Sequence, residues 1–494
     1  MANCGPIGRS RRAKWRALTL VAVHVVIAAH LAHWWLTGRT VTPVEPSEAM
    51  QTLELGWVNA GFVFFAASLL LTVIFGRFVC GWACHVVALQ DLCAHLLQRV
   101  GLRPRPVRSR LLACVPLAAA LYMFVWPTVW RWLRGGAAPP LESHFVTADF
   151  WATFPGPWMA IATLTVCGFL VVWWLGAKGF CTYGCPYGGF FAVLDRFAPG
   201  RIVVDDNCDG CAHCTAVCTS NVRVHQEVRD FKMVVDAGCM KCLDCVSVCP
   251  KGALAFGFRA PALAKSPTRS WDFLWREELG LALVFVLALL SLWGAYGVVP
   301  LLFSIGLSVL TASAALLVWR LWRRPQVAWQ RLLLKQQGRL ARSGRFFVGV
   351  ALVWFLFVAH TGFVTYWQWR GHSLLNAAMQ ATTDDAREDA RLASLQALQR
   401  AEAAALFADY RLHYDLAQHA SVRGDLAEVE TRLRRVVALA ARDDVARVRL
   451  ANVIYLRDPT RVAEAEALLR EVLARHPDHP QASASLAAME ARRR

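Results

Sequence analysis

The chain is poor in charged residues and has no motif for hydrolytic chemistry. Charged side chains make up 18% of its 494 residues, whereas 56% are hydrophobic. No glycine-rich phosphate loop, Ser-His-Asp arrangement or paired-carboxylate site stands out in the sequence, so hydrolysis has no support. The long uncharged runs are instead typical of an integral membrane protein.

Seven apolar segments predict a mainly α-helical membrane protein with about seven transmembrane helices. Their approximate bounds are 16–36, 57–76, 111–130, 157–176, 279–296, 298–319 and 346–368. The uncharged run 279–319 would be about twice as long as a hydrocarbon core is thick, at about 1.5 Å per residue. We therefore expect it to fold back on itself at Gly294–Gly297.

The scarcity of basic residues in alternate loops sets the predicted orientation. Lysine and arginine cluster in the N-terminus and in 99–110 and 320–345, whereas the loops 37–56 and 131–156 hold few of them. By the positive-inside rule, the N-terminus faces the cytoplasm of a bacterial inner (cytoplasmic) membrane. The net charge of +18 is therefore explained by the basic residues of the cytoplasmic loops, and no nucleic-acid partner is expected.

Eight cysteines near the middle of the chain form two copies of the spacing C-x2-C-x2-C-x3-C. The first copy is Cys208, Cys211, Cys214 and Cys218, and the second is Cys239, Cys242, Cys245 and Cys249. The sequences Arg201-Ile-Val-Val-Asp205 and Lys232-Met-Val-Val-Asp236 precede them at the same offset. This duplication is typical of a small α+β two-cluster ferredoxin domain, predicted here over 201–258.

In the bacterial two-cluster pattern, three close thiolates bind one 4Fe–4S cluster and the fourth binds the other. The predicted ligands of the first cluster are Cys208, Cys211, Cys214 and Cys249. The predicted ligands of the second cluster are Cys239, Cys242, Cys245 and Cys218. Zinc sites usually take two separated C-x2-C pairs, and a reducing cytoplasm disfavours disulfides, so both alternatives are less consistent with the spacing.

Two further cysteine pairs, Cys80/Cys84 and Cys181/Cys185, follow the second and fourth predicted spans. We expect both pairs at the cytoplasmic surface, each on one face of a helix and one turn apart. Together they would supply four thiolates. Three interpretations stay open: a third iron–sulfur or other metal site, a redox-active dithiol, or simple packing.

The C-terminal segment 376–494 is rich in alanine, leucine, arginine and glutamate, which is typical of long helices. Its pattern recurs with a period near 35 residues, between the segments that start at Gly424 and Arg461. The segment resembles tetratricopeptide repeats, which bind proteins. A plain helical hairpin is the alternative.

The remaining domain boundaries follow from these segments. A four-helix membrane domain with the first cysteine pair covers 1–176, and the loop with the second pair covers 177–200. A membrane domain of three helices covers 276–369.

Residues 57–258 resemble the NapH and NosR type of membrane polyferredoxin, and the protein CcoG is similar. The resemblance is carried by Phe78-Val-Cys80-Gly-Trp-Ala-Cys84, by Phe180-Cys181-Thr-Tyr-Gly-Cys185-Pro186 and by the eight-cysteine segment after them. The chain departs from the family at His85, where a proline is expected.

The resemblance implies an oxidoreductase of the quinol dehydrogenase type. Such a protein takes electrons from the membrane quinol pool and passes them through 4Fe–4S clusters to a respiratory protein partner, which the C-terminal repeats could dock. The alternative function is a metal (copper) reductase that assists assembly of a respiratory oxidase.

Seven spans that start from a cytoplasmic N-terminus place 376–494 in the periplasm and the ferredoxin domain in the cytoplasm. Alkaline phosphatase fused after Arg494 should therefore be active. The same enzyme fused after Arg345, in the basic loop, should be inactive. Fluorescence of a cytoplasmic reporter at Arg494, without phosphatase activity there, would contradict this topology.

Overall fold

A computed structural model describes residues 7–8, 10–151, 154, 156–265, 271–477 and 479–493. The chain forms two compact units. The first comprises Met1–Phe285 and Ile305–Arg345, and the second comprises Val286–Ser304 and Phe346–Arg494.

The first unit begins with apolar helices that alternate with short connecting segments. Its helices up to the second cysteine pair are α1 (Arg11–Thr37), α2 (Ala49–Leu55), α3 (Ala60–Phe75), α4 (Phe78–Trp82), α5 (His85–Arg99), α6 (Val115–Ala120), α7 (Trp126–Leu133), α8 (Pro157–Thr163), α9 (Val171–Leu175), α10 (Gly179–Tyr183) and α11 (Pro186–Asp195). Stretches of π-helix join α6 to α7 and α8 to α9, so that Leu112–Leu133 and Pro157–Leu175 are continuous helices.

Two pairs of short strands join the connecting loops at one end of this unit. Strand β1 (Thr40–Val41) pairs antiparallel with β4 (Val146–Thr147), and β2 (Trp57–Val58) pairs parallel with β3 (Glu142–Ser143). The loops predicted to face the periplasm therefore lie together.

The basic segments lie together at the opposite end. The side chain of Gln330 is 2.7 Å from the backbone nitrogen of Arg105 and 2.9 Å from its carbonyl oxygen. Gln330 lies in the turn between the first two strands of a small sheet, which consists of β7 (Val327–Trp329), β8 (Leu332–Gln336) and β9 (Arg339–Leu340). The N-terminal segment reaches the same end, where Ser10 Oγ donates to Asp244 at 2.7 Å.

The eight-cysteine segment forms a two-stranded sheet with short helices between its strands. Strand β5 (Gly200–Val204) pairs antiparallel with β6 (Leu254–Phe258) in unbroken register. The intervening helices are α12 (His213–Ala216), α13 (Val224–Phe231) and α14 (Asp244–Ser247).

The duplication in this segment is visible in the backbone. Ala212 and Leu243, the residues before α12 and α14, adopt left-handed conformations with φ of 63° and 64°. Such conformations are uncommon for residues with a side chain. Equivalent positions in the two cysteine loops therefore share the same unusual turn.

The long uncharged run folds back as predicted. Helix α15 (Trp275–Leu292) is followed by a 3-10 turn at Ala295–Gly297 and by α16 (Leu301–Arg323). Arg320 and Arg324 both donate to Glu277 at 2.8–2.9 Å, which joins the open end of this hairpin.

The mainly α-helical membrane class is confirmed, but the count of seven spans is not. Within the described residues, five helices are long and apolar enough to cross a membrane: Arg11–Thr37, Leu112–Leu133, Pro157–Leu175, Leu301–Arg323 and Arg342–Gln380. The two others fall short for physical reasons. Helix α3 has 16 residues, about 24 Å at 1.5 Å per residue, and α15 starts with the charged run Arg276-Glu-Glu278.

The second unit consists of helices that follow one another with short turns. They are α17 (Arg342–Gln380), which starts in the first unit, α18 (Asp384–Ala404), α19 (Tyr410–Val422), α20 (Leu426–Leu439), α21 (Asp444–Arg457), α22 (Val462–Arg475) and α23 (Pro480–Arg493). Buried Leu433 and Leu469 occupy equivalent positions in α20 and α22. The ion pairs Glu430–Arg434 and Glu466–Arg470 also recur at this spacing. The assignment to tetratricopeptide repeats stays a prediction.

A buried carboxylate fixes the end of α11 against the ferredoxin segment. Asp195 Oδ1 accepts from Lys241 Nζ at 2.7 Å and from the backbone nitrogen of Arg77 at 3.0 Å. Its Oδ2 accepts from Arg201 at 3.0 Å, and the side chains of Asp195, Arg201 and Lys241 are fully buried. Burying a charge without a partner costs free energy, so Lys241 and Arg201 both need this carboxylate as their counter-charge.

Replacing Asp195 by asparagine should destabilise the protein by about 3–5 kcal/mol, because two buried cations would lose their counter-charge. Asp206 is a matched control, since its side chain is fully exposed beside the largely exposed Lys232. Asp206→Asn should leave the midpoint of thermal unfolding in detergent nearly unchanged. Equal midpoints for the two variants would contradict the role assigned to Asp195.

Candidate iron–sulfur sites

The two C-x3-C pairs have the same local structure. Cys80 and Cys181 are each the third residue of a five-residue helix, α4 and α10. Cys84 and Cys185 are the capping residues before α5 and α11, with extended backbones at φ of −83° and −81°. The two pairs are therefore structural duplicates.

The prediction that each pair lies on one helix was wrong. The second cysteine of each pair lies in the break between two helices. For Cys185 the reason is the following proline, which disfavours helical backbone in the residue before it and is well suited to the first position of a helix. Cys84 adopts the same conformation although His85 replaces this proline.

The structure brings the four thiols of the two pairs together. Burial, with smaller contributions from the neighbouring thiols of Cys80 and Cys181, raises the pKa of Cys84 to about 12. Burial also raises the pKa of Cys185 well above its usual range, with contributions from Cys181, Cys84 and Cys80. Four buried thiols from two loops thus form one cluster, the four-thiol site.

Polar contacts from α5 hold the two loops together. Gln90 Nε2 donates to Cys181 Sγ at 2.8 Å. The fully buried Lys178 forms an ion pair with Asp91, and Asp91 also binds Arg16 of α1 at 2.9 Å. The helix that follows the first pair is therefore tied to the loop that carries the second.

The surroundings of the four-thiol site favour bound anionic sulfur. Backbone N–H groups of Val86 and Val87 donate to Cys84, and that of Gly188 donates to Cys185. These donors lie at helix N-termini, where the helix dipole stabilises negative charge. The cations Lys178 and Arg77 lie close to Cys181, although burial still raises the pKa of this thiol.

The second cysteines lie deeper than the expected cytoplasmic surface. The ring of Tyr187, two residues after Cys185, lies 6.2 Å from that of Phe124, about halfway along the Leu112–Leu133 helix. On the other loop, His85 Nε2 lies 3.6 Å from Glu45, which belongs to the loop 37–56. The loops therefore return into the helical layer, because each short helix is followed by one that packs beside the spans.

The loop with Cys80 and Cys84 contacts the ferredoxin segment directly. Trp82 Nε1 donates to the carbonyl oxygen of Lys241 at 3.0 Å. A side-chain carbon at Gly81 would lie 2.2 Å from the carbonyl oxygen of Met240, so only glycine fits this approach. Met240 and Lys241 lie between the predicted ligands Cys239 and Cys242, so the two thiol groups are adjacent.

The predicted ligands of the second ferredoxin cluster surround one small cavity. Cys218, Cys239, Cys242 and Cys245 all line it. Burial, with a smaller contribution from Cys239, raises the pKa of Cys218 to about 12. The structure thus brings the fourth cysteine of the first copy to three cysteines of the second, although its role as a ligand stays a prediction.

The predicted ligands of the first ferredoxin cluster lie nearer to solvent. Cys208 is exposed and Cys211 is half-buried, whereas Cys214 is buried. Burial raises the pKa of Cys214 to about 11, with Cys208 among its neighbours. Cys249 packs against the same hydrophobic core as Cys214.

The donor sets fit iron–sulfur clusters better than single metal ions. In the described part of the chain, no three His, Cys, Asp or Glu side chains are arranged to hold one metal ion. In a 4Fe–4S cluster each thiolate binds a different iron atom. The four thiols therefore need not converge on one point, as the ligands of a single metal ion do. Bound iron would also remove the thiol protons that burial otherwise retains.

Two buried cations beside the four-thiol site were missed in the sequence, although a signal was present. Arg77 and Lys178 each stand three residues before the first cysteine of their pair. They precede α4 and α10 at equivalent positions. A basic residue at this offset in both pairs predicts counter-charges for a shared anionic site.

Changing Cys80, Cys84, Cys181 and Cys185 together to serine should remove about four irons per chain, because the pairs would share one 4Fe–4S cluster. Iron and acid-labile sulfide in anaerobically purified protein measure this loss. Cys167→Ser is the control, since it removes a buried thiol from the Pro157–Leu175 helix. Unchanged iron content and spectra in the fourfold variant would mean that the two cysteine pairs bind no cluster and only contribute to packing.

Comparison with known proteins agrees with this geometry. A family model described as a 4Fe-4S binding domain matches residues 59–103 and 157–204, so that each match contains one C-x3-C pair. The ferredoxin-type protein MauN of Methylobacillus flagellatus is 26% identical over 44% of this chain and 81% of its own length. MauN of Methylorubrum extorquens is 27% identical over 43% of this chain and 77% of its own length.

The ferredoxin-type protein NapH of Haemophilus influenzae is 24% identical over 41% of this chain and 73% of its own length. No solved structure matches the chain. The predicted resemblance to NapH-type membrane ferredoxins is therefore confirmed, and the chain is an iron–sulfur electron-transfer protein similar to NapH and MauN.

Proposed function

We propose that this protein oxidises quinol at the membrane and passes the electrons through three thiolate-bound 4Fe–4S centres to a protein partner. The observation that carries the proposal is the contact of Gly81 and Trp82 with Met240 and Lys241. It joins the four-thiol site, which lies among the membrane helices, to the second cysteine copy of the ferredoxin segment.

The exposure of the cysteines supports a direction for this route. Cys80, Cys181 and Cys185 of the four-thiol site are at most 8% exposed. Cys239 and Cys245 in the second copy are buried, whereas Cys208 in the first copy is exposed. Electrons would therefore enter at the buried end and leave beside Cys208, where a partner can approach.

The chain's own residues would hold and tune these centres. When bound, each 4Fe–4S cluster supplies reversible one-electron transfer. Lys178 and Arg77 place positive charge beside the thiolates, and Gln90 donates a hydrogen bond to Cys181. Such charges and hydrogen bonds to sulfur set the reduction potential of a cluster.

The second unit is the proposed docking element for a further protein partner, separate from the electron acceptor beside Cys208. Its consecutive helices expose apolar residues, among them Leu392, Leu406 and Phe407. Tetratricopeptide-like stacks bind proteins through extended surfaces. Under the proposed topology this docked protein is periplasmic, whereas the electron acceptor approaches Cys208 from the cytoplasm.

The proposed electron-transfer route can be tested at the close contact of Gly81 with Met240. Under anoxic conditions duroquinol should bleach the visible absorbance of the purified protein. Gly81→Ala should slow bleaching of the ferredoxin clusters without lowering iron content, because the added methyl group displaces the Met240 carbonyl. Gly280→Ala is the matched control, since nothing lies within 4 Å of a side-chain carbon there.

Equal bleaching rates for Gly81→Ala and the control would contradict the route. A wild-type protein that duroquinol does not reduce would contradict quinol oxidation. If that protein in its reduced form transferred electrons to cupric ion instead, the metal-reductase function would replace the proposal.

A further inference from the structure

A cavity of about 370 Å³ lies in the first unit, where the ferredoxin segment meets the apolar helices. Its walls come from three parts of the chain. Pro116 belongs to the Leu112–Leu133 helix, Ala192 belongs to α11, and Gly238 belongs to the ferredoxin segment. The volume is within the range of ligand sites, and the electron-transfer route proposed above assigns no group to this space.

The lining of the cavity is basic. Arg108, Arg196 and Arg223 line it, and Asp236 is the one carboxylate among the described lining residues. Arg77 lines it as well, but this arginine lies close to Cys181 of the four-thiol site. Even without Arg77, three guanidinium groups stand against one carboxylate. A cavity with this excess of positive charge favours a negatively charged ligand.

Two of these arginines have no counter-charge from the protein. Arg108 is half-buried and Arg196 is exposed, so both side chains can reach a ligand. Asp272 binds Arg108 through the backbone N–H, at 2.7 Å. In the part of the chain that the structure describes, neither guanidinium group forms an ion pair or a hydrogen bond. At the same end of the unit Arg320, by contrast, is paired with Glu277 at 2.8 Å.

The arginines indicate the chemical class of the ligand. A guanidinium group presents paired N–H donors that match the oxygens of a phosphate group. Arg108 and Arg196 come from different segments, one before the Leu112–Leu133 helix and one at the end of α11. Two such groups on one cavity suit a ligand group with several acceptor oxygens and at least one negative charge, as a phosphate has.

The opposite side of the cavity is apolar and open. Ala113, Leu117 and Val193 line it. Val193 and Cys114, which also lines the cavity, are exposed, so the cavity opens between the Leu112–Leu133 helix and α11. A ligand that fills it therefore needs a charged head and an apolar body.

Tryptophan rings place the cavity at the depth of a membrane interface. Trp271 lines the cavity, and the Arg110 guanidinium group lies over its ring at 5.2 Å and over that of Trp275 at 5.0 Å. Tryptophan is enriched at the level of the lipid head groups. Basic pockets between membrane helices on the cytoplasmic side suit the head groups of anionic lipids.

We propose that this cavity binds the phosphate group of an anionic phospholipid such as phosphatidylglycerol. Arg108 and Arg196 contact the phosphate, and the acyl chains lie along Leu117 and Val193. The head group also reaches Arg223 of the ferredoxin segment, so the lipid joins this segment to the membrane helices. This binding is independent of the proposed electron-transfer function.

The site is tested by removing its two unpaired charges. Protein purified in mild detergent should retain about one phosphatidylglycerol per chain, as counted by native mass spectrometry. The double variant Arg108→Gln/Arg196→Gln should bind added phosphatidylglycerol at least about tenfold more weakly, because charge-assisted hydrogen bonds to the phosphate are lost. Its iron content should be unchanged, since neither arginine is a predicted cluster ligand.

The matched control is Arg99→Gln/Arg103→Gln. It removes the same charge, and both arginines are exposed and lie outside the cavity lining. This variant should retain the lipid with unchanged affinity. An equal loss of lipid in the two double variants would mean that the basic surface attracts lipids without a defined site, which would overturn the proposal.

Alkylation of Cys114 measures occupancy in the unmodified protein and so does not depend on the folding of a variant. Cys114 lines the cavity and is exposed. After removal of lipid, phosphatidylglycerol should slow its reaction with N-ethylmaleimide, as mapped by mass spectrometry, and phosphatidylcholine should do so much less. Equal protection by the two lipids would mean shielding by bulk lipid and would overturn the proposal.

Inorganic phosphate distinguishes a lipid from a soluble ligand of the same chemistry. Protection of Cys114 by inorganic phosphate as strong as that by phosphatidylglycerol would overturn the lipid in favour of a free phosphate. Absence of protection by either, with unchanged lipid retention in Arg108→Gln/Arg196→Gln, would mean that the cavity holds only water.

Discussion

One buried carboxylate, Asp195, holds three of the cysteine-bearing segments in place. Asp195 ends the helix that follows Cys185, and it binds the backbone nitrogen of Arg77, which precedes Cys80. It also binds Lys241, which lies between Cys239 and Cys242. Three segments distant in sequence therefore converge on a single group, which both cations need as a partner because they are buried. The close approach of Gly81 to Met240 depends on this convergence. The four-thiol site is adjacent to the second cysteine copy for the same reason.

The four-thiol site combines two demands that oppose each other. Burial disfavours thiolates and raises their pKa, as for Cys84 and Cys185, yet metal binding requires thiolates. The chain offsets this cost with helix N-termini and with the cations Arg77 and Lys178. The site also lies among the helices, where His85 meets Glu45 of the opposite loop.

Much of this architecture could be predicted from the sequence. The exact duplication of the eight-cysteine spacing predicts the paired loops, and the return of Cys218 to Cys239, Cys242 and Cys245 follows from that pattern. The turn after Leu292 follows from the length of the uncharged run. The helical break inside each C-x3-C pair was missed because spacing alone cannot distinguish one helix from two, although Pro186 carried that information for one pair. The depth of the site was also missed, because the short helices after each pair resemble interfacial helices in composition. The contact of Gly81 with Met240 joins residues 159 positions apart, and no local pattern reports such a contact.

The central claim is that the four-thiol site and the second cysteine copy hold neighbouring redox centres. Paramagnetic centres in loops that touch interact magnetically, so the electron paramagnetic resonance spectrum of the fully reduced protein measures their proximity. The account predicts split or broadened signals that simplify when Cys80, Cys84, Cys181 and Cys185 are replaced by serine. A fully reduced spectrum that is the plain sum of isolated clusters, and is the same with and without these four cysteines, would contradict it.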